Sequence, residues 1–126
     1  MTTVTKAVGQ DAWLRELGEG WGKIFAHESF GADGPTLDID FTQIENMAGV
    51  AVLGLVQGMI GEAVWQQGLR LGDSQPCPDC RGNCPVQWAG RPFKTRFGEI
   101  QIPEPWCHCP DCRRDFFPSA GAIAAR

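Results

Sequence analysis

The residues of this 126-residue chain best suited to chemistry are its six cysteines and two histidines. Four of the cysteines stand in two identical tetrapeptides, Cys77-Pro-Asp-Cys80 and Cys109-Pro-Asp-Cys112. A CxxC pair is short enough to put two thiolates on one metal ion. Two such pairs supply the four soft ligands of a tetrahedral Zn²⁺ site. Cys77, Cys80, Cys109 and Cys112 are therefore the expected ligands of one zinc ion. Four thiolates close the coordination sphere and leave no position for water, so the expected role is structural. Cys84, Cys107 and His108 make only three spare ligands, too few for a second site. The two cysteines are expected as buried bystanders, and His108 as a hydrogen-bonding neighbour of the site.

Other chemistries find no support. HExxH, the phosphate-binding loop and the Gly-rich dinucleotide fingerprint are absent, and neither His27 nor His108 has the context of a nucleophile. Asp33, Asp38 and Asp40 cluster, but helix capping accounts for Asp38 and Asp40 more simply than a hard cation does. The protein is not expected to be an enzyme.

The net charge of −4 is unevenly divided. Residues 1–75 hold four Lys/Arg against ten Asp/Glu, whereas residues 76–126 hold seven against five. A tetrathiolate zinc centre brings the second part close to neutral. Nucleic-acid binding then requires a local patch rather than a general field. Arg81, Arg91, Lys94, Arg96, Arg113 and Arg114 surround the cysteines. Phosphate contact and ordinary solvated charge weigh equally for them on composition. The start, Met1 to Lys6, has no apolar core of a signal peptide. Cysteines in a reducing cytoplasm favour metal over disulfides. The longest apolar run, Met47 to Ile60, is interrupted by glycines and shorter than a membrane span of roughly 20 residues, so no membrane partner is expected.

The elements that must position these groups fall into an α+β arrangement. Residues 1–75 read as two helices, residues 76–118 as a small β-hairpin zinc ribbon, and 119–126 as a flexible tail. The first helix is expected from Asp11 to Phe25, with Trp13, Leu17, Trp21 and Ile24 on one stripe and three weakening glycines. The second is expected over 42–71, opened by a Thr42…Glu45 capping box and closed by Arg70-Leu71-Gly72. So long a helix calls for a partner along part of its apolar face. Gly54, Gly58 and Gly61 would let another helix approach, which gives an expected homo-oligomer contact. In the ribbon, Gly98-Glu99 is expected as a two-residue turn pairing Phe97 with Ile100 and Thr95 with Ile102. Lys94 and Arg96 would then share the opposite face with Gln101, and Pro103 and Pro105 would end the returning strand.

The stretch from Cys77 to Pro118 resembles the zinc ribbon near the N-terminus of ISKra-type insertion-sequence transposases. The likeness rests on the two CxxC knuckles, the hairpin Thr95-Arg96-Phe97-Gly98, Trp106 before the second knuckle, and Arg113-Arg114 followed by Phe116-Phe117-Pro118. It covers about 40 residues well and some 80 loosely, and Cys107 departs from it, since an aromatic is usual there. The resemblance implies a cytoplasmic bacterial protein, the front region of a transposase with an RNase H-like nuclease. The catalytic acidic triad would lie beyond Arg126, which implies a truncated chain that does not cut DNA by itself. Binding of transposon-end DNA is implied, with Arg91, Lys94, Arg96, Arg113 and Arg114 as candidate contacts. The alternative is a zinc-clipped protein-interaction or oligomerisation module that binds no DNA.

Overall fold

The computed structural model describes residues 7–118; Met1 to Lys6 and the tail 119–126 lie outside the described residues. Two helices, α1 (Ala7–Phe30) and α2 (Phe41–Gly68), precede a 3₁₀ turn over Leu69–Leu71. Four strands follow: β1 (Ser74–Pro76), β2 (Asn83–Thr95), β3 (Gly98–Cys109) and β4 (Arg114–Phe116). They form one antiparallel sheet in the order β1-β2-β3-β4. The class is α+β, as the sequence indicates. The chain divides into two compact units, Met1–Ala51 and Val52–Arg126.

Helix α1 is longer than its apolar stripe predicts and runs through Gly18, Gly20 and Gly22. Each glycine costs at most about 1 kcal/mol. The helix stops at Gly31, whose positive φ of 82° lets its N–H reach the His27 carbonyl at 2.8 Å. Trp13, Leu17, Trp21 and Ile24 remain exposed.

Helix α2 begins one residue before the expected start, and its capping box is a different one. The Gln43 N–H donates to Asp40 Oδ1 at 2.8 Å, and the Asp40 N–H donates to Gln43 Oε1 at 2.9 Å. Asp40 outcompetes Thr42 because a carboxylate at the cap also meets the positive helix end. At the other end, the α-helix gives way to a 3₁₀ turn and stops at Gly72, with φ 79° and its N–H on the Leu69 carbonyl.

The long β2–β3 hairpin organises the second unit. Its turn is Arg96-Phe97, not Gly98-Glu99. Thr95 faces Gly98, Phe93 faces Ile100 and Arg91 faces Ile102, so the register differs from the expected one. Thr95 decides this: its hydroxyl donates to the Gly98 carbonyl at 2.7 Å and accepts the Phe97 N–H at 3.1 Å. Gly98 takes the positive φ, 135°, after the turn rather than within it. Lys94 consequently lies opposite Glu99, Arg96 sits in the turn, and Gln101 lies opposite Pro92. The shift is by an even number of residues, so Lys94 and Gln101 still share the exposed face, now with Glu99 and Pro92 between them, and only Arg96 leaves it for the turn.

The returning strand does not end at Pro103 or Pro105; both pair across to β2. The backbone of Gln101 turns away from β2, since its N–H and carbonyl bond the Gln57 side chain at 2.8 and 2.6 Å. Residues 103 and 105 share that orientation, because alternate residues of a strand face alternate edges. Their missing N–H groups therefore fall on an edge with no ladder to break. Gln57 and the two prolines together leave this edge few donors for another strand. The same stretch of hairpin packs on α2: the Trp88 ring meets Gly68 and lies 4.5 Å, centroid to centroid, from that of Trp65. Val64, Ile100 and Ile102 are buried there, while the cysteines form the buried cluster at the other end of the hairpin.

Candidate metal centre

Each CPDC sequence makes the same knuckle. In the first, the Arg81 N–H donates to the Cys77 carbonyl at 2.9 Å; in the second, the Arg113 N–H donates to the Cys109 carbonyl at 2.7 Å. Both arginines have left-handed backbones, with φ 63° and 55°. The structural repeat is thus CPDCR, one residue longer than the tetrapeptide. It holds an ordinary residue in a conformation that glycine adopts at lower cost. The first knuckle lies between β1 and β2, the second between β3 and β4, and the sheet order brings them together.

The Sγ atoms of Cys77, Cys80, Cys109 and Cys112 lie within 4.8 Å of one another. Two pairs cross between knuckles: Cys77 Sγ to Cys112 Sγ is 3.8 Å, and Cys80 Sγ to Cys109 Sγ is 3.6 Å. A tetrahedral Zn–S bond of about 2.3 Å requires S···S edges of about 3.8 Å. The thiols therefore already stand at the spacing that one ion needs. Four cysteines are placed to hold one metal ion, and the donor set fits zinc.

The surroundings prepare one thiol to ionise. The Cys112 N–H donates to Cys109 Sγ at 3.4 Å. This contact, opposed by burial and helped by hydrogen bonds from Cys80 and Cys77, draws Cys109 down to about 6. Cys112 is pushed up to about 12, chiefly by its hydrogen bonds with Cys80 and Cys77, then by burial. At Cys80 the Gly82 amide pulls downward, but hydrogen bonding with Cys109 and Cys77, together with burial, leaves the group raised. At pH 7 Cys80 and Cys112 therefore hold protons that an incoming ion must displace. Metal affinity is expected to fall about 100-fold or more for each pH unit lost near neutrality, since at least two protons leave per ion bound. The fall steepens below about pH 6, where Cys109 also takes a proton. Competition with a chelator of known affinity at several pH values measures this slope; a pH-independent affinity contradicts it.

Cys84 and Cys107 are fully buried within the same cluster. Burial first of all, then Cys109, pushes Cys84 up to about 11, and burial alone raises Cys107. Neither joins the group of four, so both pack as small apolar side chains. His108 points elsewhere: Nδ1 lies 2.8 Å from Asp115 Oδ1 in an exposed pair. It does not bond to a ligand thiol in the way its position beside Cys109 suggested.

The candidate DNA contacts are dispersed. Arg91 Nε lies 2.8 Å from Glu104 Oε1, off the alignment of a good hydrogen bond, and its guanidinium sits 5.1 Å from the Phe93 ring centroid. Arg114 pairs with Asp79, tying the end of the second knuckle to the first. Arg96 occupies the hairpin turn and Arg113 closes the second knuckle. Sequence reasoning missed the partners of Arg91 and Arg114, because Glu104 and Asp79 are distant in the chain. The hairpin register, read correctly, would have supplied the diagonal neighbours of Arg91.

No protein family model matches this chain, and no curated protein or solved structure matches it.

Proposed function

We propose that this protein is a non-catalytic zinc-ribbon module that binds DNA, the front region of a transposase acting on transposon ends. The observation that supports the metal half of this reading is the four-thiol cluster with S···S separations of 3.6 and 3.8 Å. Bound zinc would cross-link the two knuckles and set the base of the hairpin; with all four positions taken by sulfur it offers no site for an attacking water. The DNA half rests on the resemblance of residues 77–118 and on the basic side chains around the ribbon. Ion pairing of Arg91 and Arg114 shifts the emphasis to Arg96 and Arg113, with Lys94 on the strand beside the turn.

Fluorescence anisotropy of the zinc-loaded chain on duplex DNA, across a range of salt, tests the reading. Affinity is expected to fall steeply with salt. Replacing Arg96 with alanine and Arg113 with glycine should weaken binding about tenfold and reduce the salt slope by roughly two, as two phosphate contacts are lost. Glycine is chosen at 113 because it accepts the left-handed backbone there, so the charge goes without strain. Absence of DNA binding, or a slope untouched by both changes, would favour the second reading, a zinc-clipped interaction module. The exposed apolar surface of α2 supports that alternative.

A further inference from the structure

The tip of the β2–β3 hairpin carries two side chains that its own turn does not use. The turn is held from outside its central positions. The Thr95 hydroxyl bonds the Phe97 N–H and the Gly98 carbonyl, and Gly98 takes the positive φ. Arg96 and Phe97 have no positive φ, so nothing in the backbone selects them over the Asn and Gly that such turns favour. Phe97 is 59 % exposed. Among the described residues, no hydrogen bond, ion pair or ring contact engages the side chain of Arg96 or Phe97. The tip is nevertheless braced, since a β-carbon at Gly98 would stand only 2.8 Å from Leu53 Cδ1.

We infer that this tip is a wedge for duplex DNA: the Phe97 ring enters between two base pairs, and Arg96 meets a flanking phosphate. The inference rests on the DNA-binding reading above and says which part of the chain deforms the duplex. A two-stranded ribbon is narrow enough to enter a DNA groove. An apolar side chain pushed into a base step unstacks it and kinks the duplex, and a neighbouring cation offsets part of the cost. Arg96 adjoins Phe97 in the turn, and Lys94 stands two residues before it on the exposed face, with Glu99 as the one opposing charge there. The brace at Gly98 matters because a wedge must not fold away when it meets the stack. Flexible pyrimidine–purine steps, TA or CA, are the steps that such a wedge opens at least cost. The tip and the metal centre stand at opposite ends of the hairpin, about 35 Å apart for the eleven residues from Cys84 to Thr95 at 3.2–3.4 Å each. Changes at the tip should therefore leave the metal in place.

A lipid surface is the competing partner for an exposed aromatic beside cations, and Phe41–Leu71 is long and apolar enough by length and composition to cross a membrane. At the tip the area argues against it. One phenylalanine buries far less apolar surface than a myristoyl chain, and such a chain alone holds a protein to a bilayer only marginally. A base step needs no more than one ring.

The test uses the full, zinc-loaded chain and a duplex of about 30 base pairs, with a central TA step and a fluorescent donor and acceptor at its two ends. Energy transfer at saturating protein reads the bend, and titration reads the affinity. The wild type is expected to bend the duplex by at least about 20°. Phe97→Ala should weaken binding about tenfold or more and leave the duplex straight, with the salt slope unchanged because no charge is lost. Phe97→Leu, still an apolar wedge, should keep most of the bend. Arg96→Ala should instead lower the salt slope by about one. Each variant should retain one metal per chain, which separates lost contact from lost folding. A Phe97→Ala chain that binds and bends like the wild type overturns the wedge and leaves the DNA-binding reading standing, as does a wild-type complex with a straight duplex. A chain that binds no duplex at all overturns both, and flotation of that chain with phosphatidylserine vesicles, lost in Phe97→Ala, would assign the tip to lipid.

Discussion

Replacing Cys109 with serine is expected to abolish metal binding and to unfold the ribbon, the largest effect of any single change in this chain. Cys109 carries the thiol that ionises most readily, and its sulfur lies 3.6 Å from that of Cys80 across the two knuckles. Structural zinc contributes on the order of 10 kcal/mol or more to small domains, as much as a whole domain's usual stability. Little else in the ribbon compensates, since among the described residues its buried apolar side chains are mainly the cysteines themselves, Ile100 and Ile102. Limited proteolysis and circular dichroism of the variant should match those of wild type treated with chelator, with cleavage appearing across 74–116. Cys84→Ala should retain the metal and cost only about 1 kcal/mol, the consequence of a small cavity. A Cys109→Ser chain that resists protease like the wild type would show that the sheet stands without metal.

The second large effect is expected at Gly98. Its φ of 135° is one that side chains rarely adopt, and a β-carbon there would stand 2.8 Å from Leu53 Cδ1. Gly98→Ala should destabilise the second unit by about 2–4 kcal/mol, from backbone strain together with overpacking against α2. Adding Leu53→Ala removes the clash but not the strain, so only part of the loss should return. Thermal unfolding of the two variants separates these contributions. Full recovery in the double variant would show that the backbone at 98 is unstrained.

The metal centre was legible in the sequence because its ligands are local. A CxxC pair fixes two sulfurs within one turn of chain, and only the meeting of the two pairs depends on the sheet. The helices were legible by period, but their ends were not. Asp40 and Thr42 both offered a cap, and the choice turned on a Gln43 side chain that also suited the box. The hairpin was legible as a hairpin, while its register was not. Gly98 reads as the first residue of a turn, yet the Thr95 hydroxyl bonds to both Phe97 and Gly98 and places the turn two residues earlier. The prolines misled for a related reason: they exclude a strand only where an N–H is needed, and here those positions face an outer edge. The basic patch was least legible, since the carboxylates that engage Arg91 and Arg114 come from distant positions.

Titration of the reduced, metal-free chain with Co²⁺, followed by optical absorption, tests the central claim most directly. Cobalt stands in for zinc in such sites and reports its ligands through ligand-field and thiolate charge-transfer bands. One equivalent per chain is expected, with the intense visible bands of a tetrahedral tetrathiolate ion, unchanged in Cys84→Ala and Cys107→Ala and lost in Cys80→Ser. A stoichiometry of two, or a spectrum that requires Cys84 or Cys107, would contradict a single closed centre made by Cys77, Cys80, Cys109 and Cys112.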